Sequence, residues 1–176
     1  TNEEVQSLYD ANISEIRIDE VGSVIEELDK NEDLSYTIYQ SSENNKVTGY
    51  AIPIAGKGLW GTMYGYFAIE PDAETVKGIT FYKHKETPGL GAEVDKDWFK
   101  NNFVGKKLTN KNGELVSIEV IKGYVSDTDP DAPHKVDGIS GATITGTGLT
   151  TFLKSDLQKY EPYFAKVRSV NQIESL

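Results

Sequence analysis

Between Leu34 and Tyr82 the sequence falls into four extended runs, Tyr36–Tyr39, Val47–Ile52, Leu59–Ile69 and Val76–Tyr82, each rich in β-branched and aromatic residues. The breaks between them, Ser-Ser-Glu-Asn-Asn, Ala-Gly-Lys-Gly and Glu-Pro-Asp-Ala, are short and made of turn formers. A parallel pairing needs a crossover of a dozen or more residues, so these connections admit only antiparallel neighbours. Four strands in a meander are predicted.

The remaining segments read mainly as helices around that sheet. Glu3 and Glu4 favour a helix start, and Val5, Leu8, Ile13 and Ile16 recur at helical spacing, which predicts an amphipathic helix from Asn2 to about Ile18. Gly22 weakens its continuation through Val24, Ile25 and Leu28, and the acidic run Glu26–Asp33 reads as solvated. A middle helix is predicted over Ala92–Asn102, with Val94, Trp98 and Phe99 on its inner side. Leu115–Ile121 alternates as a fifth strand, and Asp127–Lys135 reads as a loop. From Thr143 or Thr145 to Tyr160 the stripe of Leu149, Phe152, Leu153 and Leu157 predicts a C-terminal helix ending before Pro162. The expected fold is one α+β domain: a largely antiparallel sheet of about five or more strands packed with N-terminal, middle and C-terminal helices.

Composition narrows the chemistry. A net charge of -10 over 176 residues repels phosphate backbones and argues against nucleic acid as a partner. The absence of Cys excludes disulfides, thiol catalysis and iron–sulfur ligation, and His84 and His134 are too few for a histidine-rich metal site. The acidic runs lack the order of a calcium loop, so no metal site is expected. No stretch approaches the roughly 20 apolar residues of a membrane span.

Two segments stand out chemically. In Asp137-Gly-Ile-Ser-Gly-Ala-Thr-Ile-Thr-Gly146, small residues and hydroxyls crowd a predicted helix start, where unsatisfied N–H groups attract anions and Gly141 and Ala142 permit close backbone approach. A phosphate fits such a turn, but Ser140 or Thr143 serving only as a helix cap is an equally physical account. The segment has neither the P-loop nor the Rossmann glycine pattern. In Lys85-Glu-Thr-Pro-Gly-Leu-Gly91, Pro88-Gly89 favours a type II turn, and the loop is bare enough to lie against a flat ligand or to be a plain turn.

Together, Glu-Thr-Pro-Gly-Leu-Gly at 86–91 and Asp-x-x-Ser-Gly-Ala-Thr at 137–143 resemble the FMN-binding domain family. That domain is shared by the C-type subunit of the Na+-translocating NADH:quinone oxidoreductase and the G-type subunit of the Rnf and Rsx electron-transfer complexes. The similarity extends to Gly56–Tyr66, which is closer to the quinone oxidoreductase protein, and it covers about residues 47–157. The resemblance implies FMN joined through its phosphate to a threonine side chain, which by motif position is Thr143, by a separate flavin transferase. It places Asp137, Ser140, Gly141 and Ala142 in the turn presented to that transferase, and Glu86, Thr87, Leu90 and Gly91 in a loop closing on the flavin. Thr145 is then a hydrogen-bonding partner of the phosphate or a helix cap. No catalytic side chain is implied: the domain would be an electron-transfer subunit within a membrane complex, unable to turn over alone, with the other subunits as partners.

The resemblance further implies a single membrane-spanning helix ahead of Thr1 and a position on the periplasmic side of the inner membrane. Residues 1–33 would then be a helical stalk. The alternatives are an Rnf/Rsx-type subunit, or a domain that binds a phosphate ligand without a covalent bond, with a hydroxyl-rich turn acting as an anion nest. A structural scaffold is a third; a Ser140 hydrolase is disfavoured because Ser140 lacks the G-x-S-x-G elbow. His84 reads as a surface imidazole at a strand end and His134 as loop decoration, whereas Trp60, between glycines, is expected to be exposed and Trp98 to be core.

Overall fold

A computed structural model describes residues 1–26 and 35–174. Five antiparallel strands lie in sequence order: β1 (Ile13–Ile18), β2 (Tyr36–Glu43), β3 (Lys46–Lys57), β4 (Thr62–Ile69) and β5 (Val76–Lys83). The predicted meander is β2 to β5. Asn44 and Asn45, both with positive φ, make the tight β2–β3 turn. Helix α1 (Asn2–Asn12) precedes the sheet, and α2 (Asp97–Asn101) and α3 (Thr143–Glu174) follow it.

One face of the sheet is covered by α3. Ile52, Ile54, Met63, Phe67, Ile69, Ile79 and Phe81 share the core with Leu149, Phe152, Leu153, Leu157, Tyr160 and Phe164, whose i, i+4 recurrence keeps one side of the helix on the strands. Burying each such side chain is worth about 1.5–3 kcal/mol. Asp156, on the same stripe and buried, accepts the Ala55 amide at 2.8 Å, satisfying β3 where it extends past β2.

Four details differ from the sequence reading. The first helix stops at Asn12, because Ile13–Ile18 pairs with β2 as an edge strand; Ile13 and Ile16 keep helical spacing, but Ile16 and Ile18 follow a strand's alternation. The Leu115–Ile121 strand reduces to β6 (Glu119–Val120), paired in parallel with β7 (Lys135–Val136) outside the main sheet. Ser117, at φ 69, breaks the extended run, and Val116 and Ser117 both donate to Leu108 O. The middle helix is a 3-10 turn (Gly91–Asp95) and α2, separated by extended Lys96, and Trp98 is 47% exposed with its indole on Glu93. Finally, α3 continues through Pro162, where the turn holding Gly22 packs on the backbone of Pro162 and Tyr163 and Phe164 is buried just beyond. The core contacts of that last stretch offset the roughly 3 kcal/mol that an interior proline costs. Of the acidic run 26–33, only exposed Glu26 falls within the described residues.

The core carries phenols. Burial pushes the Tyr50 hydroxyl up to about 12, with neighbouring Tyr163 adding to it, and burial likewise raises Tyr160 and Tyr163. The fold prefers these groups neutral, so their contribution is complete below the unfolded phenol value of about 10 and is lost as pH rises through the folded values. Urea midpoints should hold at pH 8–9 and fall steeply between about 10 and 12; a midpoint unchanged at pH 11 would remove these phenols from the stability balance.

Candidate functional site

Four segments meet at one end of the sheet: the β3–β4 turn, the loop after β5, the strip at β6, and the turn that opens α3. The last begins with Asp137, whose Oδ1 accepts the Val125 amide at 2.7 Å and so ties the strip to the turn. Ala142 N–H donates to Ile139 O at 3.0 Å, Gly141 takes φ 74, and the helical ladder opens with Gly146 N–H on Ala142 O. The amides of 143–145 precede that ladder and point out of the helix start, where the macrodipole favours an anion.

The loop after β5 locks against this turn through Glu86. Its buried carboxylate accepts Trp60 N–H at 3.0 Å, Leu59 N–H at 3.2 Å and the Thr145 hydroxyl at 2.5 Å. The fit leaves no room for side chains at two neighbours. A Cβ on Gly58 would lie 2.6 Å from Glu86 Oε1, and one on Gly91 would lie 2.6 Å from Glu86 Oε2 and 2.7 Å from Thr145 Oγ1. Gly91→Ala should therefore push Glu86 and Thr145 apart and lower stability by about 1–3 kcal/mol, the usual range for overpacking. A melting temperature equal to that of the parent chain would contradict this tight fit.

The sequence-predicted residues thus divide. Thr143 and Ser140 are exposed, Ala142 is buried beneath them, and Leu90 sits over Gly141, its Cδ2 2.9 Å from where a Cβ would stand. Thr87 is exposed and accepts the Trp60 indole N–H at 3.0 Å. Thr145, expected at the phosphate or as a cap, is fully buried inside the first turn of α3, and its hydroxyl is engaged by Glu86. His84 is no surface imidazole. Its side chain is 12% exposed, its Nε2 meets Asp95 at 2.7 Å and its Nδ1 accepts the Glu86 amide. His134 is likewise engaged, with Nδ1 on Lys107 O at 2.7 Å. Trp60 is 64% exposed, as expected.

Thr143 stands between two clefts. One, of about 460 Å³, is floored by Val120, Ile139 and Ala142 and bordered by Lys122 and Tyr124; the other, of about 450 Å³, runs from Lys57 and Gly58 past Ile144 to Phe152. Both fall within the 300–1,000 Å³ typical of small-molecule sites. Glycines admit the surrounding backbone: a Cβ on Gly148 would lie 2.3 Å from Lys57 O, and one on Gly138 2.1 Å from Ile121 O. Lys122, Tyr124 and Thr150, whose hydroxyl accepts the Val120 amide, carried no motif that singled them out, and Lys57 lay in the Gly56–Tyr66 similarity without an assigned role. Among the described residues no group of His, Asp and Glu is arranged to hold a metal.

A family model described as FMN-binding domain matches residues 58–158, which includes all four site segments save Lys57. The chain belongs to the FMN-binding domain family. This FMN-binding domain is similar to the C-type subunit of the Na(+)-translocating NADH-quinone reductase of Pseudomonas aeruginosa, at 40% identity over 134 residues, 75% of this chain and 51% of that protein. The corresponding protein of Chlamydia muridarum is 44% identical over 132 residues, covering 67% of this chain and 42% of that protein. The chain therefore spans about half the length of the curated relatives it matches. Among solved structures, the same component of the Parabacteroides distasonis reductase superposes with a TM-score of 0.78 at 32% identity, over 93% of this chain and 84% of that one. Shewanella oneidensis NqrC gives 0.80 at 26% identity, over 94% and 88%.

Proposed function

We propose that this FMN-binding domain carries FMN joined through its phosphate to the Thr143 hydroxyl and is the electron-transfer subunit of a Na+-translocating NADH:quinone oxidoreductase. The observation that carries the attachment site is the contrast between two threonines on one helical turn: Thr143 is exposed between two clefts, while Thr145 is buried and bonded to Glu86. The residues present fit the group. Amides 143–145 and exposed Ser140 offer donors to a phosphate at Thr143, Gly141 keeps the turn bare, and the loop bearing Thr87, Leu90 and Gly91 lies beside it. Asp137 holds the opposite wall by its bond to Val125.

When bound, the isoalloxazine supplies reversible electron uptake and release; the chain positions it and sets its surroundings. The isolated chain is then not expected to turn over. The region 47–157 is proposed to hold the flavin, attached by a separate flavin transferase, and the other subunits of the complex to be partners. Similarity to the C-type reductase proteins favours this assignment over an Rnf/Rsx-type one. The proposed location is the periplasmic face of the inner membrane, behind a membrane-spanning segment of the full-length protein; among the described residues no helix is long and apolar enough to cross a membrane. Protease added to intact spheroplasts should clip the full-length protein, and clipping only after lysis would reverse that orientation.

Intact mass after co-expression with a flavin transferase tests the central reading. A gain of about 440 Da, the mass of FMN less water, that survives denaturation is expected. An unchanged mass, with FMN retained on dialysis but released on unfolding, would leave the non-covalent phosphate-binding reading instead.

A further inference from the structure

The end of the molecule that bears Thr143 also leaves large apolar side chains in water. Trp60 (64% exposed), Tyr124 (86%), Ile144 (61%) and Leu59 rise from three of the segments enclosing the two clefts. Trp60 is not a loose side chain: its amide is held by Glu86 and its indole by Thr87, so its conformational freedom is already restricted. Large rigid aromatics exposed around one site are the anchors that interfaces use.

The charges around them run against the rest of the chain. Lys57 and Lys122 border the clefts on either side of Thr143, and the side chain of Lys85 lies over the turn at Gly61. All three are exposed and, among the described residues, none forms an ion pair. In the same segments Glu86 and Asp137 turn inward onto amides and Glu119 faces solvent, while half-exposed Asp95, just beyond the loop after β5, is held on His84. The N-terminus of the 32-residue α3 adds its positive pole at the same place. A chain of net charge -10 thus presents a positive, aromatic-studded end.

We infer that this end is a docking face for a protein surface with an apolar centre ringed by carboxylates, belonging to a neighbouring subunit of the complex. The inference rests on the proposed function for the partner's identity, and on the charge pattern for its chemistry. An anionic bilayer is the weaker occupant. Three lysines contribute only about 1 kcal/mol each at a lipid surface, and the remaining acidic surface opposes approach. A matched protein face adds shape-specific burial of Trp60 and Tyr124 and uses the lysines to steer encounter and fix orientation.

The test is sedimentation of the flavin-free chain with membranes that carry the other subunits, prepared from cells lacking this chain. Vesicles of phosphatidylcholine and phosphatidylglycerol are run in parallel. Binding to the subunit-bearing membranes is expected to weaken as salt is raised. Lys85→Glu with Lys122→Glu should weaken it about tenfold or more and flatten the salt dependence, and Trp60→Ala should weaken it on the order of 30-fold if it is a central anchor. Trp60→Phe, which keeps an aromatic ring but loses the indole N–H on Thr87, should restore part of that loss. Equal binding to the protein-free vesicles, no binding at low salt, or affinities unmoved by these variants would each overturn the proposal. Intact mass on the same chains separates it from the functional reading. Flavin attached with docking unaffected by the variants defeats the docking face alone. Docking that follows the charges in a chain that never acquires flavin defeats the function alone.

Discussion

Thr143→Ala, co-expressed with the transferase, should emerge with no added mass and no yellow colour, while Thr145→Ala should still gain about 440 Da at Thr143. The asymmetry follows from accessibility. Thr143 is exposed at a helix start, whereas Thr145 is fully buried and its hydroxyl donates to Glu86 at 2.5 Å. A transferase cannot reach the second without opening the first turn of α3. Thr145→Ala should instead act on stability, leaving the Glu86 carboxylate short of a donor and costing about 1–3 kcal/mol, or roughly 2–12 °C in Tm for a chain of this size. Thr145→Ser, which retains the donor, should recover much of that loss. Peptide mapping that finds the adduct on Thr145 in the Thr143→Ala chain would show that the turn opens during maturation, and would remove the assignment to Thr143.

That division between two threonines also marks where the sequence stops being sufficient. The small-residue turn at 137–146 is local, and its implied contact with an anion could be read from neighbouring residues alone. The partner of Thr145 is Glu86, 59 residues away, joined only when β5 and the start of α3 reach the same end of the sheet. The meander from Tyr36 to Lys83 was legible because period-two alternation and short turns allow few other arrangements. Residues 13–18 were not, since Ile13 and Ile16 keep helical spacing while Ile16 and Ile18 keep a strand's, and only pairing with β2 selects the strand. His84 shows the same limit. It sits at a strand end as expected, yet the carboxylate that fixes it, Asp95, comes from a 3-10 turn that local pattern had merged into a helix.

Glu86→Ala should be among the most damaging single substitutions in the chain. It removes the acceptor of two buried-facing amides, Leu59 and Trp60, and of the Thr145 hydroxyl, and it opens a void between Gly58 and Gly91 that their missing side chains cannot fill. Each orphaned donor costs about 1–3 kcal/mol, and the three share one site, so a combined loss of about 3–5 kcal/mol, or roughly 6–20 °C, is expected rather than their full sum. Glu86→Gln preserves the volume but turns an amide NH2 toward one of the donors, and should fall between. The effect should reach function through position. With the β3–β4 turn and the loop after β5 released from α3, Trp60 loses its fixed backbone and Leu90 its seat over Gly141. Flavin attachment at saturating transferase should therefore slow in Glu86→Gln at temperatures well below its Tm. Tryptophan fluorescence should become more solvent-like, although Trp60 itself is unchanged. Full attachment rate together with parental fluorescence would confine Glu86 to stability and break the link between this carboxylate and the presentation of Thr143.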